Sequence, residues 1–190
     1  MIAAITSLLT SAGLGIGAGI NTYATLLVFG AVARWQPQHF PSESARFFAS
    51  TPVLIVLAVL YTIEFVADKI PAVDHIWDMI HTFIRPIAGA VAGWAAVAHG
   101  TLPQGVVVIA TIVAGGAALA THGTKASVRA ASTATTGGLG NPVLSLGEDI
   151  VAFGTSTVAI FLPWLVLLLL ALGGAMGALV VCRLRRRSAR

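Results

Sequence analysis

The sequence predicts an all-α fold, a polytopic helical integral membrane protein with about five or six spans. Composition is the first reason: 57% of the 190 residues are hydrophobic and only 9% are charged. A soluble domain carries about 25% charged residues, so this chain could not cover its surface in water. The second reason is charge segregation. No Asp, Glu, Lys or Arg occurs from Met1 to Ala33, Phe47 to Ile63, Ile87 to Thr124, or Ile150 to Cys182. The third is length, since a spanning helix needs about 20 mostly apolar residues.

The net charge of +4 does not point to nucleic acid, because five of the eleven basic residues (Arg183, Arg185, Arg186, Arg187 and Arg190) crowd the last eight positions. A basic run after an apolar span reads as a cytoplasmic anchor under the positive-inside rule. The expected organisation is therefore one transmembrane domain over 1–182 and a basic cytoplasmic tail over 183–190. The single cysteine, Cys182, excludes a disulfide framework within the chain. No positive n-region precedes the first apolar run, so a cleaved signal peptide is not expected. The Ala, Gly and Val content points to a bacterial protein of high-GC origin, and the expected location is the inner (cytoplasmic) membrane.

Gly15 to Ala33 reads as the first full span. It follows a shorter apolar piece, Ile2 to Ala12, set off by Gly13, Gly15, Gly17 and Gly19. Those glycines mark either a broken helix or close packing against a neighbour. Arg34 to Ser50 reads as a loop, and Pro52 to Val66 as the second span. Asp74 to Arg85 reads as a short amphipathic helix with Asp74, Asp78, His81 and Arg85 on one face and Ile76, Met79, Ile80 and Phe83 on another. Ile87 to Ala98 is too short to span unless it borrows from that helix. Val106 to Ala120 is the next span, and Thr121 to Gly140 a polar Gly/Thr/Ser-rich segment. Pro142 opens a helix running to Leu162, Pro163 breaks it, and Trp164 to Cys182 is the last span. Gly13 to Gly19, Asp74 to Arg85 and Pro163 each leave room for re-entrant or broken helices.

The residues that bear chemistry fall in two charged stretches. The first holds Glu64, Asp68, Lys69, Asp74, Asp78, His81 and Arg85; the second holds Lys125, Arg129, Asn141, Glu148 and Asp149. His122, Lys125 and Arg129 would form a basic face if their segment is helical. Ionisable groups at membrane depth are costly, so they pair or line a pathway. Asn21, after the glycine run, suits a helix cap or cross-link, or a solute contact through its amide.

The segments GLGIGAGINTYATLLVFG, EFVADKIPAVDHIWDMIHTFIRPIAGA, HGTKASVRA and NPVLSLGEDIV resemble, in this order and spacing, a family of small bacterial membrane proteins catalogued as domain of unknown function 4126. The resemblance covers nearly the whole chain. It implies a multi-span helical membrane protein and lends no catalytic residues or cofactor.

Three readings follow. The charged groups line a site for a small ion or charged solute, or a lipid headgroup, in a transporter or channel-like protein. They only lock helices together in a structural membrane protein. Or Asp74, Asp78 and His81 bind a metal in a lipid-modifying enzyme, although no HExxH, P-loop or GxSxG motif is present. In the first reading the acids would take a cation, or the bases an anion such as phosphate. The charge sign stays open. The partners to expect are the bilayer, a small ion or anionic solute, and a second copy of the chain; the Gly173 and Gly177 pair permits close helix packing within or between chains.

Overall fold

The computed structural model describes residues 1–98 and 102–173, and all regular structure there is helical. Seven helices follow in order: α1 (Ile2–Ile20), α2 (Thr22–Trp35), α3 (Glu43–Phe48), α4 (Thr51–Ala67), α5 (Pro71–Val97), α6 (Gln104–Thr136) and α7 (Asn141–Phe161). Residues 165–173 are helical again after the break at Pro163. Four segments are long and apolar enough to cross a membrane: α1, Ile76–Val97 within α5, α6 and α7; α4 is a shorter apolar helix. The chain is a polytopic helical membrane protein. His99, Gly177, Cys182 and the arginine-rich tail lie outside the described residues.

The first span differs from expectation. The chain does not break at Gly13 to Gly19; α1 runs through them and ends at Asn21, which is extended (φ −143°, ψ 110°). Gly15 to Ala33 is thus not one helix, and the apolar piece Ile2 to Ala12 is the first half of a full-length one. The glycines serve packing. A Cβ on Gly15 would overlap the Ala114 backbone, and one on Gly19 the Ala118 carbonyl. Removing the side chain lets α1 and α6 touch backbone to backbone.

These contacts give the helix directions. Gly15 lies against Ala114 and Gly19 against Ala118, so α1 and α6 run parallel. Ser11 donates to the Gly93 carbonyl while Arg85 reaches that of Gly19, so α5 runs the other way. Gly13 meets Ala159, Gly17 meets Ser156 and Asn21 meets Asp149, so α7 is antiparallel as well. The chain reverses at Asn21: Thr25 of α2 lies beside Gly17 and bonds Ser156. Arg34 at the end of α2 bonds Thr51 at the start of α4, so α4 returns in the direction of α1. Both the α4–α5 turn with Lys69 and the α6–α7 turn therefore lie at one end, and Arg34 and Arg46 at the other.

Asp74 to Arg85 is the amphipathic helix expected, and Ile87 to Ala98 borrows from it to span: the two form α5, which continues through Pro86. Thr121 to Gly140 is not a loop, since α6 extends to Thr136 and stops only at Gly137, where φ is +64°. At about 1.5 Å per residue α6 is about 50 Å long, well beyond a hydrocarbon core of about 30 Å. Within the expected loop Arg34 to Ser50, Glu43–Phe48 forms α3, capped by the Ser42 hydroxyl.

The tight α1–α6 seam makes a prediction. Gly15→Val should cost about 3 kcal/mol or more by overpacking against backbone that cannot yield. Gly116→Ala, on the open face of α6, should be neutral or stabilise by up to about 1 kcal/mol. Thermal unfolding in detergent separates the two.

Candidate functional site

The site begins with the end of α1. The last carbonyls of a helix lack partners in their own helix, and these are buried. The Gly17 carbonyl accepts from the Asn21 N–H and that of Ala18 from the Thr22 hydroxyl. The next two are taken by cations: Arg85 Nη1 donates to Gly19 at 3.1 Å, and Lys125 Nζ to Ile20 at 3.1 Å. The negative end of the α1 dipole thus holds two positive side chains, from α5 and α6. Asn21 itself caps α2, accepting from the Ala24 N–H at 2.9 Å, and donates through Nδ2 to Asp149 Oδ1 at 2.9 Å.

The cations gather the acids. Arg85 Nη2 bonds Glu64 Oε1 at 2.9 Å, both fully buried, and lies 3.3 Å from Asp78 Oδ1. Lys125 Nζ is 3.2 Å from Glu148, 3.6 Å from Asp68 and 3.9 Å from Asp78. Arg129 binds both Glu148 oxygens, Asp74 Oδ1 and Asp68 Oδ2, and lies 3.6 Å from Asp78 Oδ2. Asn141 Nδ2 reaches Asp74 Oδ2 at 3.4 Å and Thr133 Oγ1 at 3.1 Å. Lys69 is peripheral: its Nζ donates to the Phe65 carbonyl, lies over the Phe65 ring and reaches Ser145 Oγ at 3.4 Å.

Helical periodicity explains the convergence. Asp74, Asp78, His81 and Arg85 do share the inner face of α5, while Ile76, Met79, Ile80 and Phe83 are exposed. His122, Lys125 and Arg129 continue the buried stripe Val107, Ala110, Ala114 and Ala118 of α6. Asn141, Ser145 and Asp149 follow at four-residue spacing on α7. The structure brings Glu64, Asp68, Asp74, Asp78, Arg85, Lys125, Arg129, Asn141 and Glu148 into one network. Asn21 and Asp149 form a pair beside it.

Both histidine tautomers follow from their partners. A guanidinium only donates, so His122 Nδ1 accepts from Arg85 at 2.9 Å and its Nε2–H faces the Thr82 hydroxyl at 3.0 Å. His81 Nδ1 must donate to the Trp77 carbonyl at 2.9 Å, which leaves its Nε2 a buried acceptor without a donor. The metal reading of Asp74, Asp78 and His81 finds no geometry here. Asp74 and Asp78 turn to the bases and His81 to Trp77; among the described residues no three His, Cys, Asp or Glu side chains gather as ligands.

Sequence reasoning gave too small a part to His122, which it placed only on a basic face, and missed Thr82, Thr133 and Ser145. Ser145 donates to Asp68 Oδ2 at 3.4 Å. Its spacing from Asn141 and Asp149 was the available signal.

A cavity of about 650 Å³ reaches the network from the end bearing the α6–α7 turn, with Asp74, Asp78, Arg129 and Asn141 on its wall. Six carboxylates of the network and its edge (Glu64, Asp68, Asp74, Asp78, Glu148 and Asp149) face four bases (Lys69, Arg85, Lys125 and Arg129), a formal excess of two negative charges. Buried acceptors also outnumber donors. Among the described residues Glu64 Oε2, Asp68 Oδ1, Asp78 Oδ1, His81 Nε2, Asn141 Oδ1 and Asp149 Oδ2 lack partners, against only Arg85 Nε and Trp77 Nε1 as donors.

Two predictions follow. Arg85→Gln, which strands buried Glu64 and the Gly19 carbonyl, should cost about 3–5 kcal/mol, and adding Glu64→Gln should restore part of it in a double-mutant cycle. At the α4 terminus, burial works against the Asp68 charge, but Lys125 and Arg129 outweigh it and hold its carboxyl below its ordinary value. A depressed carboxyl stabilises above its unfolded pKa, and that gain is lost as pH falls through the folded one. The stability gap between wild type and Asp68→Asn should therefore be full at neutral pH and close as pH drops below about 4.

No curated protein and no solved structure matches the chain. A family model does, the domain of unknown function DUF4126, over residues 8–183. With nearly the whole chain matched, the protein belongs to the DUF4126 family.

Proposed function

We propose that this protein is a transporter or channel-like protein that carries a small cation across the membrane, with the buried network as its binding site. The observation that supports this most is the acceptor excess. An unpaired buried polar group costs about 1–3 kcal/mol, so a network that served only to lock helices would gain by closing on itself. Here six buried acceptors receive no hydrogen bond from another protein group, and the network carries surplus negative charge and borders a cavity. It favours the cationic solute over the anionic one that the sequence left open: Arg129 and Lys125, the bases an anion would need, are already held by carboxylates. The break at Asn21 adds to this, since helix ends meeting at a polar site are the recurring construction of transporter binding sites.

The setting is the bacterial inner membrane. The positive-inside rule assigns the end bearing Lys69 and the α6–α7 turn to the cytoplasm, and the tail Arg183 to Arg190 to the same side.

Asp78 is the residue to test. It is among the least buried of the carboxylates and lines the cavity, and Arg85, Lys125 and Arg129 all lie within 4 Å of it. In proteoliposomes under an inside-negative potential, wild type should pass protons, sodium, potassium or methylammonium. Asp78→Asn should lower that flux by at least about tenfold while its folded yield holds, as expected for loss of a charge-assisted contact. Absence of flux for all four probes, or an Asp78→Asn variant that merely unfolds, would leave the purely structural reading standing.

A further inference from the structure

We infer that the Asp149 carboxyl is a proton-binding site, held at neutral pH as the neutral acid with its proton on Oδ2. The inference concerns one residue at the edge of the network and depends neither on transport nor on the cavity.

The first ground is a missing counter-ion. Glu64, Asp68, Asp74, Asp78 and Glu148 each have a lysine or arginine within 4 Å. Among the described residues Asp149 has none, although it is only 6% exposed. Its partner is the neutral amide of Asn21, itself buried, whose Nδ2 donates to Oδ1 at 2.9 Å. Oδ2 accepts from no protein group. Taking an ionised carboxylate out of water without a cation costs far more than one amide hydrogen bond offsets, and a group so placed keeps its proton instead.

The second ground is what faces Asp149 from the neighbouring elements. The charged groups that act on it are Lys69 of the α4–α5 turn, Asp68 at the end of α4 and Lys125 of α6. Both bases are taken. Lys69 Nζ donates to the Phe65 carbonyl, lies over the Phe65 ring and reaches Ser145. Lys125 Nζ serves the Ile20 carbonyl, Glu148 and Asp68. Asp68 and the adjacent Glu148 oppose a further negative charge. The α4 phenol on this side is Tyr61, while Tyr23 of α2 turns to His81. No Asp, Glu, Lys or Arg occurs from Met1 to Ala33, so α1 and the start of α2 add no charged side chain. Ile20, Ala24 and Ala152, with Tyr61 and Phe153 packed against them, form an apolar cluster one turn along.

The third ground is hydrogen-bond polarity, which also names the atom. Asn21 Oδ1 accepts from the Ala24 N–H at 2.9 Å, so the amide nitrogen is the group that faces Asp149. That nitrogen only donates. Asp149 Oδ1 is therefore the carbonyl oxygen of the acid, and the proton belongs to Oδ2. With it in place, five ionised carboxylates face four bases, and the formal excess falls from two negative charges to one. The proton sits where α7 meets the α1–α2 break, so its loss would set a bare charge against that junction.

Infrared difference spectroscopy of the purified full-length protein in detergent tests this. At neutral pH the wild type should show the C=O stretch of a buried carboxylic acid, and Asp149→Asn should lack it. Asn21→Ser keeps a capping oxygen for α2 but removes the amide donor, so it should move that band to higher frequency; it serves if Asp149→Asn fails to fold. Stability gives a second readout. An acid protonated in the fold and ionised in the unfolded chain takes up a proton on folding, so its contribution is lost as pH rises above the unfolded value of about 4. In SDS unfolding titrations the folding constant of wild type relative to Asp149→Asn should fall by about tenfold per pH unit from about pH 5 to 7, the opposite sense to Asp68. No carboxylic acid band at neutral pH, a band unmoved by either substitution, or a stability difference independent of pH would overturn the inference.

Discussion

The fold turns on how the C-terminal end of α1 is satisfied. Ending a helix inside a membrane protein strands carbonyl groups where no water is at hand, and each stranded group costs several kcal/mol. Here the Gly19 and Ile20 carbonyls receive Arg85 and Lys125. That solution brings two positive charges into the interior from α5 and α6. Those charges then require carboxylates, which α4, α5 and α7 supply through Glu64, Asp68, Asp78 and Glu148. One backbone problem thus ties five helices into a single electrostatic unit.

The same chain of consequences leads to the site. Buried ion networks are often no more stabilising than apolar packing of the same volume, so stability alone is a weak reason to keep one. This network overshoots its own needs in one direction, toward negative charge and open acceptors. The cavity at the α6–α7 turn borders that network, with Asp74, Asp78, Arg129 and Asn141 on its wall. The glycine seam between α1 and α6 has a part in this, because the close approach of those two backbones puts Lys125 within reach of Ile20.

Much of this was legible in the sequence. Membrane residence followed from composition, and the inner faces of α5 and α6 followed from the spacing of Asp74, Asp78, His81 and Arg85 and of His122, Lys125 and Arg129. The break at Asn21 fell inside the span expected over Gly15 to Ala33; of the two readings open for Gly13 to Gly19, a broken helix or close packing, close packing is the one found. The helicity of Thr121 to Thr136 was left as a condition on the basic face of His122, Lys125 and Arg129, because Gly, Thr and Ser are weak helix formers in isolation; here Arg129, held by three carboxylates, anchors that segment. The backbone carbonyls of Gly19 and Ile20 carry no side-chain signal, so the feature on which the arrangement depends was the least readable.

Isotope-edited infrared spectroscopy tests the central claim most directly. With ¹³C placed at the Gly19 or Ile20 carbonyl, the amide band should lie below that of an interior helical carbonyl such as Leu14, reflecting a charge-assisted hydrogen bond. It should return toward the ordinary position in Arg85→Gln for Gly19 and in Lys125→Met for Ile20. Bands at the ordinary position in the wild type, unmoved by either substitution, would mean that the cations do not hold the end of α1 and would contradict the account.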